Sequence, residues 1–155
     1  NDFAALDAQR HFTPNSFDFT VETVGVWANR DIVAKGCDSI IGRLTRFINA
    51  IQTDSSLIER SKTTIPKSYD IALHNEDYTL GKVLEYYLFV NKYADGTLSY
   101  CGFSKPHPHI HESLIRVGYA VDPTNHSEIV SMLTDAANAG IAQYTTIKSQ
   151  FTVAE

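Results

Sequence analysis

Three histidines stand at alternate positions in the run Pro106-His107-Pro108-His109-Ile110-His111. On a strand that spacing would line one face, and imidazoles so placed could hold a metal ion. Two features oppose that chemistry. Pro106 and Pro108 disrupt regular strand geometry, and no acidic or cysteine ligand stands at a helical spacing that would complete the set. The segment therefore reads as a structural turn with exposed histidines. His74, Glu76 and Asp77 carry the groups needed for acid–base work, but they read better as polar residues between a strand and a helix, with Asp77 near the positive end of the helix dipole. Cys37 and Cys101 form no CxxC pair and suit packing rather than a disulfide framework or a zinc knuckle, as in a reducing compartment. No GxGxxG, P-loop, GxSxG or HExxH sequence occurs. Trp27 and the 8 tyrosines form no stacking platform for single strands. Residue chemistry alone thus offers no evident active site.

These residues must be positioned by two groups of elements. Residues 17–25, FDFTVETVG, alternate Phe17, Phe19, Val21 and Thr23 with polar residues, which predicts a half-buried strand stopped by Gly25. A helix is expected over about 30–53, with Asn29 as N-cap. Its stripe is Val33, Cys37, Ile40, Ile41, Leu44, Phe47, Ile48 and Ile51. Residues 54–67 are polar and read as a linker. Tyr69, Ile71 and Leu73 alternate with Asp70, Ala72 and His74, predicting a strand, and Thr79 is the expected N-cap of a helix running to about Asn91. Asp95-Gly96 signals a turn between that helix and a strand over 97–103. A second strand spans 112–121, with Ile115, Val117, Tyr119 and Val121 on one face.

Asn125 and Glu128 have capping-box spacing before a last helix over 126–150. Its seam, Ile129, Leu133, Ala136, Gly140, Tyr144, Ile147 and Phe151, suits packing along another long helix, with Ala136 and Gly140 permitting close approach. Residues 1–16 read as irregular, broken at Pro14 and Asn15.

The 155 residues suffice for one domain or two small modules sharing a core. Hydrophobic residues are 43% and charged residues 20% of the chain, the composition of an ordinary soluble globular protein. The net charge is −5, with 13 basic and 18 acidic residues and no basic patch, which argues against direct grip on nucleic acid. No apolar run approaches a membrane span and no signal peptide is visible. The sequence begins at Asn1, and its only methionine is Met132, so it reads as part of something longer.

Two stretches are more specific than this chemistry: HNEDYTLGKVLEYY at His74–Tyr87 and CGFSKPHPHIHESLIRVG at Cys101–Gly118. In order, over roughly residues 68–150, they resemble the small alpha-like subunit of cellular RNA polymerases, called L in archaea and the eleventh subunit in eukaryotic enzymes. Asn75-Glu76-Asp77 and Thr79-Leu80-Gly81 match the family's first motif. Gly102, Phe103, Pro106-His107-Pro108 and Ile115-Arg116-Val117 match its second. Tyr78 replaces a usual His and Lys82 a usual Asn, while Glu85-Tyr86 stands near the place of the paired arginines of bacterial alpha subunits.

The strand and helix of the first 60 residues are similar, in pattern and order, to the C-terminal end of the larger alpha-like partner, called D in archaea. The resemblance implies an α/β (α+β) chain of the alpha-subunit dimerisation type, a small antiparallel sheet packed on long helices. Residues 1–62 would be the D-like strand, helix and linker, and residues 63–155 the L-like module. The resemblance implies a fusion of the two alpha-like subunits, with the start of the larger one missing from this sequence, similar to the arrangement in polymerases of large cytoplasmic DNA viruses.

The implied function is a non-catalytic assembly subunit of a DNA-directed RNA polymerase, carrying the platform for the two large catalytic subunits. Magnesium would sit in those large subunits and no cofactor in this chain. Partners would be the large and other small polymerase subunits, with little nucleic-acid contact and no membrane. The location would be intracellular: cytoplasm or virion if viral, nucleus if eukaryotic. Expected interface residues are Asn75, Glu76, Asp77, Thr79, Leu80, Gly81, Gly102, Phe103, Pro106, His107 and Pro108 from the motifs, and Ile40, Leu44, Leu133, Tyr144 and Ile147 from the helices. The rival readings are a free-standing interaction module and a small metal enzyme using His107, His109 and His111.

Overall fold

The computed structural model describes residues 2–13, 15–107, 109 and 111–152. Pro14 and the motif residue Pro108 lie outside the described residues. Among the described residues three α-helices, α1 (Asn29–Thr53), α2 (Tyr78–Leu88) and α3 (His126–Thr152), accompany four strands, β1 (Ile58–Arg60), β2 (Ser68–His74), β3 (Leu98–Ser104) and β4 (Glu112–Tyr119). The strands form one antiparallel sheet in the order β1-β2-β4-β3. This is the mixed, small-sheet-on-long-helices arrangement expected from the sequence.

The alternation in β2 and β4 sets the layers. Ile71 pairs with Ile115 and Tyr69 with Val117, so one sheet face is apolar. Leu73, Tyr119 and, from β3, Leu98 and Phe103 join it, and all pack in one core with the helices. The other face carries Asp70 opposite Arg116, whose guanidinium donates to both carboxylate oxygens at 2.6 and 2.8 Å. Gly96, at φ +82°, makes the turn before β3, where Asp95 accepts from the Thr97 amide at 2.8 Å.

The two long helices run antiparallel against each other. Asp38, early in α1, receives a hydrogen bond from the Lys148 ammonium, late in α3, at 2.7 Å. Nearer the middle, Gly140 leaves room for Leu44: a Cβ at 140 would stand 3.1 Å from a Leu44 methyl. Leu44 and Leu133 are fully buried and share the core with Phe47 and Ile51, further along α1. Burying such a leucine is worth roughly 1.5–3 kcal/mol. Neither amphipathic helix could shield its stripe alone, so the pairing supplies what helix propensity does not.

Several local expectations are corrected. Residues 17–25 form no strand: Phe19 is 87% and Val24 97% exposed, and among the described residues no strand lies beside them. Alternation alone cannot make a strand whose backbone finds no ladder partner. Residues 54–67 are not a bare linker. Asp54 caps a 3-10 turn at Ser55–Leu57, and β1 follows, putting Leu57 and Ile58 into the core. The division at 62/63 thus falls between two strands hydrogen-bonded to each other.

Asn29 does not cap α1. Ala28 holds that position, and the Asn29 side-chain amide donates to the Val21 carbonyl at 2.9 Å. Asp77, not Thr79, caps α2, because its carboxylate accepts from the Thr79 amide at 3.0 Å. The 112–121 strand ends at Tyr119, which leaves Val121 beyond the sheet and exposed. At the start of α3 Asn125 accepts from the Glu128 amide at 3.0 Å, but Glu128 returns its bond to the Thr124 amide at 3.0 Å, one residue before the cap.

Candidate functional site

The two sequence motifs meet at one end of the sheet. Asn75 follows β2 with a left-handed backbone, φ +57°, a conformation asparagine tolerates better than most residues. Its amide donates to the His111 carbonyl at 2.8 Å. Next to it the Glu76 carbonyl accepts from the buried Ser113 hydroxyl at 2.9 Å. Asp77 then caps α2. The turn 75–77 is therefore tied to the start of β4 and to the helix it launches.

The first turns of α2 place Leu80 and Gly81 inward, both buried. A Cβ at Gly81 would lie 2.1 Å from ring carbons of Phe103, so only glycine lets the β3 aromatic reach the helix. Tyr78 packs edge-on to the same ring, with centroids 5.2 Å apart. Glu85, one turn further, accepts from the Phe103 amide at 3.1 Å and pairs with Lys82 at 2.5 Å. Thus Tyr78 and Lys82, the two departures from the usual motif, both have defined contacts.

A third element reaches this junction. The Arg43 guanidinium, from α1, donates through Nε to Glu76 Oε2 at 2.7 Å, through Nη2 to the same oxygen, and through Nη2 to Asp77 Oδ1 at 3.0 Å. Arg43 and Glu76 are both half-buried, which makes this pair less screened than a surface ion pair. Arg43 holds the Asp77 carboxyl below the ordinary aspartate range, helped by the Thr79 amide. The two acids in turn push the already basic Arg43 higher, Glu76 foremost.

The histidine run gives no such convergence. His107, His109 and His111 are exposed, and the His109 amide donates to His107 Nδ1 at 3.2 Å. Among the described residues no group of three histidine, cysteine or acidic side chains is placed to hold a metal ion. Pro106 is likewise exposed, Thr79 is exposed at the helix start, and Gly102 is half-buried on β3. Cys37 is buried and Cys101 half-buried, and desolvation pushes the Cys101 thiol up to about 12, with Glu85 adding to it. Neither is poised as a thiolate nucleophile.

Of the helix residues, Leu44 and Leu133 are buried, while Ile40, Tyr144 and Ile147 are half-buried. Tyr144 and Ile147 border a groove with Val83, Tyr86 and Tyr87 between α2 and α3. Sequence reasoning missed Arg43, Glu85 and Ser113. A cation directly preceding the stripe residue Leu44 was the available signal for Arg43. Nothing local marks Ser113, or Glu85 as the acceptor of the Phe103 amide, because those bonds join separate elements.

No helix among the described residues is long and apolar enough to cross a membrane. Residues 68–150, which contain both motifs and their junction, match the family model described as the RNA polymerase Rpb3/Rpb11 dimerisation domain. No curated protein matches the chain.

Proposed function

Because this chain belongs to the RNA polymerase Rpb3/Rpb11 dimerisation-domain family, we propose that it is a non-catalytic assembly subunit forming the alpha-like platform for the two large catalytic subunits of a DNA-directed RNA polymerase. In this reading residues 68–150 are the L-like half. Helix α1 stands in for the long helix of the D-like partner, so two pairing surfaces that other polymerases hold on separate chains share one polypeptide. The observation that carries the reading is the antiparallel packing of α1 on α3, with Leu44 seated at Gly140 and Leu133 fully buried. A covalent connection makes such pairing intramolecular and raises its effective concentration. The remaining interface residues, from Asn75 to Pro106 and His107, serve this platform by holding its shape or by meeting neighbouring subunits. Nucleotidyl transfer and its magnesium belong to the large subunits, and this chain supplies no catalytic group.

The test is co-purification of the large subunits with tagged variants of this chain. Leu133→Asp places a charge in the core and should abolish recovery. Lys148→Ala removes one exposed ion pair and should leave recovery near the wild-type level. Equal recovery with both would refute the platform reading.

A further inference from the structure

Apolar stripes of leucine and isoleucine are poor discriminators. Any long amphipathic helix of similar size offers α3 much the same surface, and a slip of one turn along α3 would again meet apolar groups. Discrimination between similar partners comes from polar groups that are left unpaired when the wrong partner docks. The junction at residues 75–77 holds two such groups. Glu76 is half-buried beside α1, and Asp77 is committed to capping α2. Their shared cation is Arg43, which sits on the flank of the α1 stripe immediately before Leu44.

We propose that Arg43 is the specificity-determining residue by which the 68–150 module recognises α1, with Glu76 and Asp77 as its readers. Three features of the geometry support this. The guanidinium engages two acids through two of its nitrogens, a geometry that a lysine ammonium or a shifted helix cannot reproduce. The acids lie on a turn whose backbone is already tied to β4 and α2, so the receptor side is organised in advance. The polar link between the two long helices, Lys148 to Asp38, stands earlier on α1 and is more exposed than the Arg43–Glu76 pair, so it discriminates less. A helix with an acid or an apolar residue at position 43 would leave Glu76 desolvated without a partner, a cost that an arginine-bearing helix with the same apolar stripe does not carry.

This rests on the reading of α1 as a partner helix, and its test is made on the isolated 155-residue chain, so that it stands or falls apart from polymerase co-purification. Thermal unfolding and hydrogen exchange are measured for the wild type and for Arg43→Glu, Arg43→Lys, Glu76→Arg and the double exchange Arg43→Glu/Glu76→Arg, at low and high salt. Arg43→Glu and Glu76→Arg should each lower Tm by roughly 3–8 °C. Both should raise exchange in the middle of α1 and in residues 75–81 together. The double exchange should recover at least half of that loss, and Arg43→Lys should fall between. High salt should narrow the differences, which a role in packing alone would not do. Additive losses in the double exchange, or an Arg43→Glu chain with wild-type exchange in residues 75–81, would overturn the proposal.

Discussion

Gly81 lies directly against the ring of Phe103, with so little space that a single added methyl would stand 2.1 Å from two ring carbons. The contact joins the first motif, at the start of α2, to the second, at the end of β3. It explains why a helix-weakening residue occurs near the start of a short helix. The ring also carries Tyr78 on its edge and the Phe103 amide is held by Glu85, so it has little freedom to retreat.

Gly81→Ala should therefore destabilise the chain despite alanine's better helix propensity. Overpacking of a filled site costs about 1–3 kcal/mol, against a propensity gain of up to ~1 kcal/mol. Denaturant titration should show a lower midpoint, and Phe103→Leu introduced beside Gly81→Ala should recover part of it. A midpoint at or above wild type for Gly81→Ala alone would show the ring to be freer than its contacts imply.

Leu133→Ala should cost about 2–5 kcal/mol, the range for a truncated leucine in a closed core. Lys148→Ala should cost less than about 1 kcal/mol, because its partner Asp38 is exposed. Calorimetric unfolding of the two variants beside the wild type checks the contrast. Comparable losses would mean that α3 is held by its charged flank and not by its seam.

Acid should loosen the Arg43 clasp with a definite sign. The Asp77 carboxyl titrates below its ordinary value in the folded chain, chiefly because Arg43 donates to it. A carboxyl with the lower pKa in the folded state contributes stability that is present above the unfolded pKa and is lost as the pH falls through the folded one. Wild type should exceed Asp77→Asn in stability at pH 7. The difference should shrink below about pH 4, the ordinary aspartate range. Since Asp77 is more than half exposed, the effect is small and best read as a difference between the two chains measured in parallel. A gap that is unchanged from pH 7 to 3 would remove the charge from the explanation.

Cys101 should resist alkylation. With its thiol pushed up to about 12 by burial and Glu85, little thiolate exists at pH 8. Iodoacetamide should modify it at least ~100-fold more slowly in the folded chain than in denaturant. Cys37, buried on α1 and likewise raised, should be protected with it. Rapid modification of Cys37 alone would show that α1 detaches from α3 without global unfolding.

The elements from residue 68 onward were legible because their signals are local. Alternation in Tyr69–Leu73 and Ile115–Tyr119, the Asp95-Gly96 turn and the long periodic seam from Ile129 each depend on spacing within one segment. The same holds for the two motifs, whose order along the chain carried the family. The stripe of α1 was equally plain. Its partner was the other long stripe, and mutual burial required them to meet.

What local spacing could not decide was where an unpaired edge finds its neighbour. Residues 17–25 alternate as well as β2 does, yet they join no sheet and stay mostly exposed, since a strand exists only through hydrogen bonds to another strand. Ile58–Arg60 has almost no strand signature and is a strand because β2 offers it an edge. Arg43 in the sequence is one of many cations beside an apolar stripe. Only the tertiary fold brings it to Glu76 and Asp77, because the interaction depends on where the β2–α2 turn passes α1, and that distance is set by packing over the whole core.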